Sequence, residues 1–121
     1  MSRPVLHAAA MAVAVLAAGC AQPVKPMYHW EGYQRQVYEH LKSDGSTPSE
    51  QLAVLQAQAD KARATGASLP PGFRAHLGLL YLKLGRPDEA REALQAEKVA
   101  FPESTQYMDY LLKGLTEKKA S

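Results

Sequence analysis

The stretch "FRAHLGLLYLKLGRPDEAREALQAEKVAFP", Phe73 to Pro102, decides the fold. From Phe73 to Leu84 it carries Leu77, Leu79, Leu80, Tyr81, Leu82 and Leu84, too many apolar side chains for one helical face. A helix that is apolar nearly all round is buried on several sides, so this one belongs at the centre of the domain. Gly85 ends it. Pro87 suits the first turn of a following helix, and Asp88 and Glu89 complement the positive end of its dipole. Ala90, Leu94 and Phe101 point inward, and Pro102 marks the next boundary.

Taken from Pro71, these residues resemble a tetratricopeptide repeat, a helical hairpin of about 34 residues. Over 71–104, Leu77, Gly78 and Tyr81 match the first helix of the repeat. Gly85 matches its turn, Ala90 and Leu94 the packing positions of its second helix, and Pro102 its closing proline. Arg74 and Glu97 depart from the pattern, standing where the repeat has Trp and Ala. The packing logic is visible in the residues: Gly78 and Ala90 are small where the helices would cross, and Tyr81 and Leu94 fill the space beside the crossing. The resemblance implies a fold and says little about function. One hairpin cannot bury its own apolar faces, and such arrays need about three units, so flanking helices must cover it.

Upstream, Thr47 followed by Glu50 forms a capping box, with Pro48 in the first helical position. Leu52, Leu55, Ala59 and Ala62 make a narrow stripe of mostly small residues that permits close helix approach. Gly66 suits the stop, and "SLPPG" completes the break. Earlier still, a helix is expected over Glu31 to Lys42, with Tyr33, Val37 and Leu41 recurring as one stripe. Downstream, a helix over about Ser104 to Leu115 carries Tyr107, Met108, Leu111, Leu112 and Leu115 and takes the capping role. No run alternates as a strand would. The expected fold is all-α: about five helices in tetratricopeptide-like antiparallel hairpins, occupying 30–118.

The amino-terminal residues have a different character. Arg3, an apolar run from Val5 to Ala18 and the small-residue boundary at Gly19 and Cys20 are ordered as in a secretory signal over 1–19. The run is shorter than the roughly 20 residues of a spanning helix. "LAAGC" resembles a bacterial lipobox, with Ala17 where leucine is favoured. The resemblance implies cleavage between Gly19 and Cys20, a diacylglyceryl thioether on Cys20 and acylation of the new amino group. Two or three chains make an anchor far firmer than one. Ala21, rather than Asp, after the cysteine implies export to the outer membrane, with the domain facing the periplasm. Residues 20–29, with two prolines early on, read as lipidated cysteine and tether.

Composition narrows the function classes. Cys20 is the only cysteine among 121 residues, which removes intramolecular disulfides and Cys-based metal or redox motifs. The formal charge is +2, and +1 once Arg3 leaves with the signal, without a basic tract. This offers no case for nucleic acid. His29, His40 and His76 lie on different elements, with no pair spaced to share a helix face, and are expected at surfaces or interfaces rather than around a metal. There is no Gly-x-Ser-x-Gly elbow and no Gly-rich phosphate loop, so neither catalysis nor a small-molecule substrate is expected. No cofactor is expected beyond the covalent lipid on Cys20.

Two features remain as partner-binding candidates. "MYHWEGYQRQVYEHL", Met27 to Leu41, holds Tyr28, Trp30, Tyr33 and Tyr38. Aromatics of this density either fill a small core or form an interface hot spot, and the two roles can share opposite faces. The inner positions of the central helix, Ala75, Leu79 and Leu82, are apolar and lack the Lys, Arg and Asn of a peptide-carboxylate clamp. Either the aromatic first helix or another protein covers them. Tyr28, Trp30, Tyr33, Leu79 and Leu82 are the candidate contact residues.

The mature chain as a whole resembles an uncharacterised family of small bacterial lipoproteins, through "YHWEGYQRQVYEHL", "PPGFRAHLGLLYLKLG" and "EKVAFPESTQYMDYLL". That resemblance implies gene neighbourhood with a lipoprotein like the curli-secretion pore subunit CsgG, and hence a cell-envelope assembly. The expected function is a non-enzymatic adaptor in such an assembly. The alternative is a pilotin-like chaperone that carries a pore subunit to the outer membrane.

Overall fold

From Tyr33 onward the described residues form five α-helices, seen in a computed structural model that describes residues 3–5, 7, 23–42 and 45–120. Gly19 and Cys20, and with them the signal cleavage and lipidation site, lie outside the described residues. The helices are α1 (Tyr33–Lys42), α2 (Pro48–Thr65), α3 (Phe73–Lys83), α4 (Pro87–Ala100) and α5 (Thr105–Ala120), with a 3-10 turn at Pro102–Ser104 before the last. The fold is all-α, without strands among the described residues.

Local chemistry sets most boundaries. The Thr47 hydroxyl accepts from the Glu50 amide while the Glu50 carboxylate accepts from the Thr47 amide at 2.7 Å, completing the capping box at α2. Gly66 closes α2 in the left-handed conformation at φ 66°, its amide directed to Ala62 and Arg63 carbonyls. Gly85 takes φ 71° between α3 and α4. Both positions suit glycine, which has no Cβ to clash there.

Packing follows chain order: α1 on α2, α2 on α3, α3 on α4 and α4 on α5, with α3–α4 the most extensive pair. Leu52 and Leu55 of α2 meet Phe73 and Leu80 of α3 in the core, with Tyr33, Ala59, Leu69, Leu77, Tyr81 and Leu84 packed around them. At the α3–α4 crossing, Gly78 faces Leu94 and Ala90, both fully buried. A Cβ at Gly78 would lie 3.0 Å from Leu94 Cγ and 3.3 Å from the Ala90 carbonyl oxygen. These are the small-on-large positions expected from the sequence. On α5, Met108 is buried, and Lys98 of α4 bonds Asp109 at 2.6 Å.

The first helix departs from its expected face. Leu41 is 76% exposed and belongs to no core. Its inward residues are half-buried Tyr33, Val37 and His40, with buried Gln36. Spacing explains the difference. Each four-residue step turns 40° beyond a full revolution at 3.6 residues per turn, so Leu41 has rotated about 80° away from Tyr33. Gln36 and His40 stay closer to the Tyr33 direction. The helix also starts at Tyr33 rather than Glu31; Glu31 takes φ 32° in the preceding turn.

Candidate interaction surface

The amino end of α3 lacks a cap of its own. Gly72 is its N-cap residue at φ 83°, without a side chain to satisfy the first amides. Glu97, from α4, supplies the acceptor. Its carboxylate, 1% exposed, accepts from the Gly72 amide at 2.6 Å and from the Arg74 amide at 3.1 Å. A negative group here also meets the positive end of the α3 dipole. Glu97, a departure from the repeat pattern in sequence, therefore pins the hairpin together.

Around the same end runs a chain of rings. Phe101, the C-cap residue of α4, meets Tyr28 at 6.0 Å between centroids. Tyr28 meets Trp30 at 6.3 Å, and Trp30 stacks on Tyr33 at 6.2 Å. Tyr33 then lies 5.2 Å from Phe73 and 6.1 Å from His76, whose ring meets His40 edge-on at 4.7 Å. Aromatic pairs at such separations add about 0.5–1.5 kcal/mol each beyond burial. Tyr33 is thus a packing residue against the core. Burial, and then the Glu97 charge, pushes its phenol above the usual tyrosine range.

The entry to this chain is held by polar contacts. Buried Gln58 donates to the carbonyls of His29 and Trp30, both at 2.9 Å, and the His29 amide donates to the Ser68 carbonyl at 2.7 Å. Glu31 bonds Lys61 at 2.9 Å and His29 at 2.7 Å. Lys61, then His29, holds its carboxyl below the usual range. The packed domain therefore takes in Tyr28 and His29, which the sequence assigns to the tether.

Sequence spacing put no two histidines on one helix face; the fold brings His40 and His76 together. His76 is buried, with its Nε2 unpartnered among the described residues. Burial first, then His40 and Lys83, lowers its pKa to about 4. Burial and Lys83 lower His40 as well. His76 is a neutral buried group rather than the surface or interface histidine expected. No group of three metal-ligating side chains occurs among the described residues.

Two open surfaces stand out among the described residues. On one side of α3, between α2 and α4, lies a groove of about 760 Å³. Ala59, Ala62, Ala93, Ala96 and Ala100 line it, with Tyr28 and Phe101 among its aromatic residues. Arg63 and Arg74 mark one end; Tyr81, Glu89 and Glu92 mark the other. Gln56 donates to the Tyr81 hydroxyl at 2.9 Å, and Arg86 lies 4.8 Å over its ring. The second surface is on α5. Tyr107 and Tyr110 are 60% and 72% exposed and stack at 6.4 Å with 14° between ring planes.

Of the residues singled out from sequence, Tyr28 and Tyr33 are half-buried, and Trp30 keeps 40% exposure at the rim of the ring chain. Leu79 and Leu82 are half-buried on α3, and helical phase places Leu79 opposite the groove-lining Arg74, Leu77 and Tyr81. The groove itself was not anticipated. Its signal in sequence was the run of alanines at helical spacing on α4, from Ala93 through Ala96 to Ala100.

A family model described as a domain of unknown function, DUF4810, matches residues 27–111, from the start of the ring chain into α5. No curated protein and no solved structure matches the chain.

Proposed function

The chain belongs to the DUF4810 family, and from that premise we propose that it is a non-enzymatic adaptor in a cell-envelope or secretion assembly, lipid-anchored through Cys20 to the outer membrane and facing the periplasm. The observation that carries this reading is the open alanine-lined groove with aromatic and charged ends, beside a domain whose first helix is already committed to packing. A groove between helices, walled by small residues, fits a polypeptide side-chain row better than it fits a reacting centre. The lipobox resemblance supports the anchor, and the resemblance to envelope lipoproteins supports a CsgG-like pore lipoprotein as partner.

The test is crosslinking in intact cells producing the tagged full chain, followed by identification of the captured proteins. An envelope pore lipoprotein should be recovered, and its recovery should fall with Ala96→Trp, which fills the groove. Capture that is indifferent to Ala96→Trp would refute the groove as the adaptor surface. A pore subunit that loses its outer-membrane location when the gene is deleted would favour the pilotin-like alternative.

A further inference from the structure

We infer that the groove of one copy receives the Tyr107–Tyr110 pair of a second copy, so that the chain assembles head to tail with itself. This goes beyond the adaptor reading and does not depend on it. Two unsatisfied surfaces of the same chain complement each other. One is concave, floored by alanines that let a backbone approach closely. The other is a protruding stack of two exposed rings.

Charge sets the direction. Arg63 and Arg74 lie at the Tyr28 end of the groove, and Glu89 and Glu92 at the Tyr81 end. Glu103, in the 3-10 turn before α5, precedes the tyrosine pair, and Lys113 of α5 follows it. Arg63 pairs with Asp60 at 3.1 Å and Glu89 with Arg86 at 2.8 Å, while neither Arg74 nor Glu92 is in an ion pair among the described residues; Lys113 lies 3.9 Å from Glu117. Glu103 to Lys113 spans about 16 Å, through the steeper 3-10 turn and then α5, and Glu89 to Ala100, along the groove, about 16 Å as well. Docked with Glu103 at the Arg74 end, α5 of the second copy places Lys113 at Glu89 and Glu92. It then runs parallel to α3 and antiparallel to α2 and α4, which alternates the helix dipoles favourably.

The contact is heterologous: groove and tyrosine pair are different surfaces, so each docked copy still offers one of each. Such contacts build rings or open chains rather than closed two-fold dimers. Two tyrosines bury about 300–500 Å² together, below the area of a permanent interface, so the association is reversible.

The test uses two differently tagged full-length chains produced together and extracted in mild detergent. Parent copies should co-purify, and crosslinking should give a ladder. Ala96→Trp paired with itself, and Tyr107→Ser/Tyr110→Ser paired with itself, should each lower recovery about tenfold. An Ala96→Trp copy mixed with a Tyr107→Ser/Tyr110→Ser copy should recover one-to-one pairing, because one intact groove then meets one intact tyrosine pair. As a variant independent of steric filling, Arg74→Glu should weaken the association and Glu103→Arg should restore it. Parent chains that stay monomeric, or a mixed pair that fails while both variants melt like the parent, would overturn the proposal. Capture of a different envelope protein by a chain that never captures its own copy would overturn it too, while leaving the adaptor reading standing.

Discussion

The Glu97 carboxylate lies 2.6 Å from the backbone nitrogen of Gly72, 25 positions earlier in the chain. A helix end that cannot cap itself has borrowed an acceptor from its hairpin partner. Glu97→Ala leaves the Gly72 and Arg74 amides without that acceptor in a buried place, a loss of about 2–3 kcal/mol. Glu97→Gln, which keeps one oxygen but turns a donor toward an amide, should fall between parent and alanine variant. Urea denaturation of the three chains checks the order.

Gly78 faces Leu94 at the helix crossing, where an added methyl group would press on the Leu94 side chain at 3.0 Å. Gly78→Ala gains helix propensity of about 1 kcal/mol, against an overpacking cost of about 1–3 kcal/mol. The net effect is a modest loss of stability. Combined with Leu94→Ala the two changes should be strongly non-additive, because the cavity left by leucine accepts the new methyl group. A double-mutant cycle in thermal unfolding measures the coupling.

His76 makes the fold acid-sensitive. Its folded pKa, about 4, lies below the ordinary 6.5. Between these values the unfolded chain binds the proton and the folded chain does not, so stability falls as pH drops from 6.5 toward 4 and levels off below that. Above 6.5 both forms are neutral and the contribution is flat. The loss is on the order of 3 kcal/mol. His76→Leu should flatten this limb of the pH–stability curve even if its stability at neutral pH differs from the parent.

The first helix separates a packing residue from a bystander within one turn-counted stripe. Tyr33→Ala removes a ring that touches Trp30, Phe73 and His76 and should cost about 2–3 kcal/mol. Leu41→Ser, at an exposed site, should stay within about 0.5 kcal/mol. Trp30 is the only tryptophan, so its fluorescence reports the Tyr33 change directly as loss of the stacked environment.

The anchor is tested by Cys20→Ala. Palmitate labelling should disappear, and the chain should leave the membrane fraction. Unchanged fractionation would mean that another segment or a partner holds it.

Local chemistry made much of this fold readable. Thr47 with Glu50, Gly66 and Gly85 announce helix ends because their partners lie within a few residues. Gly78 with Ala90 and Leu94 was readable because both helices of the hairpin are adjacent in the chain. Glu97, Gln58 and the His40–His76 contact were not, because each acquires its meaning from an element 23 to 36 positions away. A polar residue at 58, in phase with Leu55 and Ala62, was the available hint of a buried hydrogen bond. The interaction surface was least readable: it is formed by residues from three helices and the segments beside them, and none of them is unusual alone.

The ring chain that begins at Tyr28 also decides how the domain responds to tension. A pull arriving from the amino-terminal side enters where Gln58 grips two successive carbonyls and Ser68 grips the His29 amide. Load is therefore passed to α2 and its following turn before it reaches α1, and stacked rings must slide past one another for α1 to peel away. Trp30, whose carbonyl Gln58 holds, sits where that load enters, so its fluorescence is placed to register it.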